Sequence, residues 1–168
     1  MKPFFYLFFF LPLVLSSQSN WQQKADYNMN VSVDVKTFEF SGNQEIVYTN
    51  NSPDTIRKVY YHLYFNAFKP GSQMDVRSLN ISDPDRRVQD RISKLKKSEE
   101  GDLSVFELKQ DGKPIVFEKQ ETVLLARLNK VLLPGKKTKL ALKFRGVVPK
   151  QIRRSGRNNN DGVALSMT

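Results

Sequence analysis

The chain has 168 residues, 39% of them hydrophobic, with twelve Phe and six Tyr against eight Gly and eight Pro. That mix excludes a disordered or collagen-like chain and fits one domain with a real core. Its net charge is +10, it has one histidine, and the absence of cysteine excludes disulfides, thiolate metal sites and cysteine nucleophiles together.

The N-terminus reads as an address label. Lys2 precedes an apolar run from Phe4 to Leu15, and Ser16, Ser17 and Gln18 follow. Charge, apolar segment and small residues in that order predict a cleavable signal peptide over residues 1–17. The run is too short for a membrane-spanning helix, which needs about 20 apolar residues. Export to a periplasm, cell surface or extracellular space is expected, with residues 18–168 as one domain.

Strand signals then follow one another. Tyr27, Met29, Val31, Val33 and Val35 alternate with polar residues, the pattern of a strand with one buried face. Phe38 and Phe40 extend it, and Ser41-Gly42-Asn43 reads as a turn. Glu45–Thr49 is a second strand, ended by the turn formers Asn50 to Asp54. Lys58–Phe65 is a third, rich in tyrosine, whose continuous apolar character predicts burial on both faces or in an interface. Pro70–Gly101 is polar and basic, a long excursion with one short helical turn. Leu103–Leu108 resumes the strands, and Asp111-Gly112 marks a hairpin. Pro114–Glu118, Thr122–Leu128 and the alternating Leu140, Leu142 and Phe144 complete the set, with Leu133-Pro134-Gly135-Lys136 as a turn. Gly146–Asp161 is loop-like and basic, and Val163–Thr168 reads as the opening of another strand, so the domain looks incomplete at its C-terminal end. Seven or so short strands without helical periodicity predict an all-β antiparallel sandwich or saddle.

Catalytic chemistry is hard to build from these residues. His62, in Tyr60-Tyr61-His62-Leu63-Tyr64, has no second histidine to share a metal and reads as structural. No phosphate-binding glycine loop is present, and Asp83, Asp85 and Asp90 lack the glycine and distal glutamate of a calcium loop. The basic runs Lys136-Lys137-Thr138-Lys139 and Lys150–Arg157 sit in turns and loops, away from the aromatics of the strands. A nucleic-acid surface interleaves the two, so nucleic acid is not an expected partner.

Several segments together resemble the N-terminal domain of the zinc aminopeptidases related to aminopeptidase N. They are Tyr27-x-Met29-x-Val31-x-Val33-Asp34-Val35, Phe40-Ser41-Gly42 and Ile46-Val47-Tyr48-x-Asn50-Asn51-Ser52. Leu133-Pro134-Gly135-x-x-Thr138-x-Leu140-x-Leu142-x-Phe144-x-Gly146-x-Val148-Pro149 closes the pattern. Tyr61–Phe68 and Arg153–Asn159 resemble an exported bacterial branch of the kind found in Bacteroidetes. The resemblance runs from Trp21 to Thr168. It implies a non-catalytic β-sandwich that walls the substrate cleft and packs on a thermolysin-like catalytic domain. In such a parent enzyme zinc and its H-E-x-x-H motif come later in the chain, and the substrate is the N-terminus of a peptide. This sequence carries neither a catalytic residue nor a metal ligand of that family. Leu165-Ser166-Met167-Thr168 resembles the family's strand ending in a Thr-Gln pair, which makes Met167 and Thr168 substrate-cleft candidates. Arg153, Arg154 and Arg157 are candidates for a domain interface or an anionic contact. The alternative expectation is a stand-alone exported sandwich that binds a cell-envelope polymer through its basic loops.

Overall fold

A computed structural model describes residues 21–81, 88–152 and 156–157, and the backbone of 165–166. Ten strands and one α-helix follow in chain order: β1 (Lys24–Asp34), β2 (Glu39–Thr49), β3 (Ile56–His62), α1 (Gln73–Asn80) and β4 (Asp102–Gln110). Then come β5 (Lys113–Pro114), β6 (Phe117–Gln120), β7 (Val123–Leu132), β8 (Lys137–Val147), β9 (Gly156–Arg157) and β10 (Leu165–Ser166). They form a five-stranded sheet, order β1-β2-β8-β4-β5, a three-stranded sheet, order β3-β7-β6, and a small β10-β9 pair. Every pairing between these strands is antiparallel. The all-β sandwich expected from the turn spacing is what the chain forms.

The turns follow from their residues. Asp111 and Gly112 both have positive φ (48° and 83°), the two-residue type I′ geometry that matches strand twist. Pro134-Gly135 makes a type II turn, with Gly135 at φ 69° and Lys136 N donating to Leu133 O at 3.1 Å. The first hairpin departs from expectation, because Ser41-Gly42-Asn43 lies inside β2 and the turn falls at residues 35–38. Asp34 Oδ1 accepts the N–H of Lys36 (2.8 Å) and of Thr37 (3.3 Å), while Phe38, at φ 62°, donates its N–H to Asp34 O. Gly42 serves close approach instead: a Cβ there would lie 2.4 Å from Asn30 O and 2.9 Å from the Phe144 ring.

The main core lies between the two larger sheets. Ile46, Leu108, Leu140 and Leu142 from the five-stranded sheet meet Leu124 and Ala126 from β7, with Leu63 and Ile115 closing the sides. Removing a leucine side chain from water contributes about 1.5–3 kcal/mol, so this cluster is what holds the sheets together. Phe38, Phe40, Phe65 and Val148 form a second cluster, with Phe40 and Phe65 edge to face at 5.6 Å. A β-bulge separates Val105 from Glu107 in the β4–β8 ladder. It switches the inward row from Leu103 and Val105 to Leu108 and turns Phe106 out to solvent.

The polar excursion has a core of its own. Val88, Ile92 and Ile152 are buried together, with Phe68, Met74 and Leu95 against them. Where one helical turn was expected, α1 makes two: Ser72 caps it, accepting the Asp75 N–H at 3.2 Å. No helix among the described residues is long and apolar enough to cross a membrane.

Candidate functional site

The five-stranded sheet is apolar on one face well beyond the area its partner sheet covers. Register sets Tyr27, Met29, Val31 and Val33 of β1 opposite Ile46, Gln44, Gly42 and Phe40 of β2. Those in turn lie opposite Leu140, Leu142, Phe144 and Gly146 of β8, so all twelve residues share one face. The three-stranded sheet packs over the Ile46–Leu140 end of that face. The β1 side stays open: Tyr27 is 63% exposed, Met29 50%, Val31 46% and Val33 42%. The half-buried β1 expected from its alternation is therefore corrected. Period two places the row on one face, but no described element covers it.

Beside this row runs a groove of ≈ 750 Å³ whose lining includes Met29, Phe40, Gln44, Tyr60, Tyr64 and Phe144. Its far wall is the Lys58–Phe65 segment, expected to be a strand buried on both faces or in an interface; burial on both faces within this chain is what the structure corrects. Instead β3 ends at His62, Tyr64–Ala67 forms a 3-10 turn, and Tyr60 and Tyr64 stand in solvent. The wall is anchored from behind by Asn66, a residue its sequence position did not single out. Its Nδ2 donates to Leu103 O and Glu121 O (3.0 Å each), and its Oδ1 accepts Leu103 N–H at 2.9 Å. His62 lies flat against the Tyr64 ring, centroids 5.2 Å apart. Burial pushes the Tyr61 phenol well above its ordinary range, with the nearby Tyr27 adding to the shift.

The groove carries no carboxylate, and its polar side chains are amide, phenol and the exposed imidazole. No group of three or more potential ligands stands together among the described residues. With the only histidine stacked on a tyrosine, these residues do not fit a zinc centre. The arrangement suits contact with another apolar surface. Contiguous exposed apolar area of this kind marks an interaction site on a soluble domain.

The basic residues lie elsewhere. Lys139 and Lys143 are on the outer face of β8, not only in turns, and pair with Glu45 and Glu107 at 2.9 Å each. Arg157, the interface candidate within the described residues, sits with its guanidinium 3.8 Å from the centroid of the Phe38 ring. It also donates through Nη2 to Ser98 O at 2.6 Å, tying β9 to the 3-10 turn at Lys97–Glu99. Beside it Lys150 Nζ meets Glu99 Oε1 at 2.8 Å. Arg153, Arg154, Met167 and Thr168 lie outside the described residues. A second cleft of ≈ 830 Å³ has both signs of charge, Asp34, Glu39 and Glu100 with Lys97 and Arg145, around the Lys69–Asp102 ion pair.

No protein-family model and no curated protein matches the chain. Among solved structures it is similar to the M1 zinc metallopeptidase from Deinococcus radiodurans. That similarity has 13% identity and a TM-score of 0.49, over 80% of this chain and 24% of that one. A mutant of the M1 enzyme from Deinococcus radiodurans bound to a Tyr-Ser-Ala substrate gives 11% identity and a TM-score of 0.46, over 76% and 21%. The chain thus spans less than a quarter of the length of these proteins. Likeness this loose carries no chemistry, so the functional reading rests on this chain's own residues.

Proposed function

We propose that this chain is the non-catalytic N-terminal β-sandwich of an exported zinc aminopeptidase of the aminopeptidase N type. In this reading the open apolar face packs on a catalytic domain, and the chain walls a cleft for the N-termini of peptides. The observation that carries the proposal is the uncovered row Tyr27, Met29, Val31 and Val33 beside a tyrosine-rimmed groove free of carboxylates. The motif resemblance over Trp21–Thr168 supports a zinc-bearing catalytic domain as what covers that face. Zinc belongs to that domain, and no step of peptide hydrolysis is assigned to a residue of this chain. Met167 and Thr168 would approach the bound peptide, and Arg153, Arg154 and Arg157 would lie towards the neighbouring domain. Residues 1–17 would direct export.

The test is to read the transcript past Thr168. A frame continuing into an H-E-x-x-H motif is the expected result. A stop codon directly after Thr168 in the intact gene would overturn the reading in favour of a stand-alone module. Purified chain should also leave aminoacyl p-nitroanilides uncleaved, whereas turnover that survives removal of contaminants would contradict a non-catalytic role.

A further inference from the structure

The groove lies on a face of the five-stranded sheet, and β1 also forms one edge of that sheet. β1 pairs with β2 on one side and has no strand partner on the other among the described residues. It is eleven residues long, roughly 37 Å of backbone at about 3.4 Å per residue. Its pairing with β2 is unbroken from Lys24 to Asp34, so no bulge twists the edge away. No proline interrupts it, its apolar row holds no charge, and its three charged residues, Lys24, Asp26 and Asp34, are confined to the ends of the strand on the opposite face. Edge strands of soluble proteins ordinarily carry at least one such guard, because a bare edge is a template for another strand.

We propose that the β1 edge pairs with β1 of a second copy of this chain, antiparallel about a twofold axis at Met29, joining two five-stranded sheets into one. The sequence of the strand is self-complementary in that register. Lys24 falls opposite Asp34 of the second copy, Ala25 opposite Val33, Asp26 opposite Ser32, Tyr27 opposite Val31 and Asn28 opposite Asn30. Both ends of the pairing gain an opposite-charge cross-strand pair, and the two apolar rows continue each other on one face. Competing registers are worse. A one-residue slip turns the second copy over and sets its apolar row on the polar face. A two-residue slip in one direction places Asp26 against Asp34, and in the other leaves Lys24 against Ser32. The register centred on Met29 is also the one that pairs all eleven residues. Lys24 already lies 3.1 Å from Asp26 of its own strand, so in the dimer it would bridge two carboxylates.

This inference does not depend on the aminopeptidase reading, since it uses the sheet edge and holds for a stand-alone module equally. The experiment is sedimentation of the purified chain at tens of micromolar, followed by crosslinking through engineered cysteines. The natural chain has no cysteine, so each variant carries a single thiol. Met29→Cys brings its two copies together at the axis, within the Cα separation of about 4.4–6.8 Å that a disulfide needs. Val33→Cys leaves its copies roughly 27 Å apart along the paired strands. A dimer that mild oxidation locks in Met29→Cys and not in Val33→Cys is the expected result. Met29→Lys, which sets two ammonium groups side by side at an exposed position, should give a monomer with an unchanged circular dichroism spectrum. A monomeric natural chain, larger open-ended oligomers, equal crosslinking of both cysteine variants, or a dimer that survives Met29→Lys would each overturn the proposal.

Discussion

Asn50 is fully buried, and its amide joins three segments of the chain. Its Nδ2 donates to Asp54 O and Leu132 O, and its Oδ1 accepts from Gln23 Nε2 and from the Ser52 N–H and hydroxyl. Asn50→Ala would strand several of these groups away from water, each at about 1–3 kcal/mol where no solvent reaches it. The expected outcome is a loss of at least about 2 kcal/mol in urea unfolding, with the strand signal in circular dichroism retained. At the Lys69–Asp102 pair, burial works to raise the carboxyl's pKa. Hydrogen bonds from Lys69 and Ser104, and the Lys69 charge, outweigh that and hold Asp102 below the usual carboxylate range. A depressed carboxylate stabilises the fold above its unfolded-state pKa and loses that contribution as pH falls through the folded one. The window therefore lies below about pH 4. Asp102→Asn should lower stability at pH 6 and flatten the fall between pH 4 and pH 2, as read from urea midpoints. An unchanged acid slope would assign the acid sensitivity to other carboxylates.

At the scale of elements, β1 and β7 are both strands of alternating pattern with opposite energetics. Leu124 on β7 is fully buried, so Leu124→Ala should cost about 2–5 kcal/mol. Val31→Thr on β1 should change stability by no more than about 0.5 kcal/mol, since Val31 has no covering layer to lose. The same urea experiment reads both. This contrast also shows how far the sequence was legible. Period two, Asp111-Gly112 and Pro134-Gly135 are local signals, and both turns and the strands β1, β7 and β8 lie where these put them, whereas the return strand expected at Pro114–Glu118 is split between β5 and β6 in different sheets. Burial is decided by which sheet lies opposite, which no local pattern contains, so the exposed β1 row read as core. Gly42 misled for a related reason: its small size serves the Asn30 backbone and the Phe144 ring, contacts visible only once the sheet has formed. The turn at residues 35–38 was missed because Asp34 builds it through its side chain and Phe38 occupies a backbone region that favours glycine. The bulge beside Phe106 hid likewise, because it reverses the alternation in mid-strand. Asn66 falls within the Tyr61–Phe68 resemblance, but its anchoring role left no local signal, because its partners Leu103 and Glu121 are distant in sequence.

At the scale of the whole molecule, the two larger sheets cover each other incompletely. The apolar face that remains, with its tyrosine wall, gives the chain a surface to be covered. An environment-sensitive apolar dye should brighten on the folded chain, and Tyr60→Glu should reduce that signal without loss of secondary structure. A dye response equal to that of an ordinary compact domain would mean that the groove closes in solution. The proposal that this sandwich belongs to a larger zinc enzyme is tested by isolating the natural protein from its source with antibodies against the sandwich, then measuring its intact mass and bound zinc. The expected result is a polypeptide much longer than 168 residues that carries zinc and releases N-terminal amino acids from peptides. A zinc-free polypeptide ending at Thr168, with no larger form present, would contradict it.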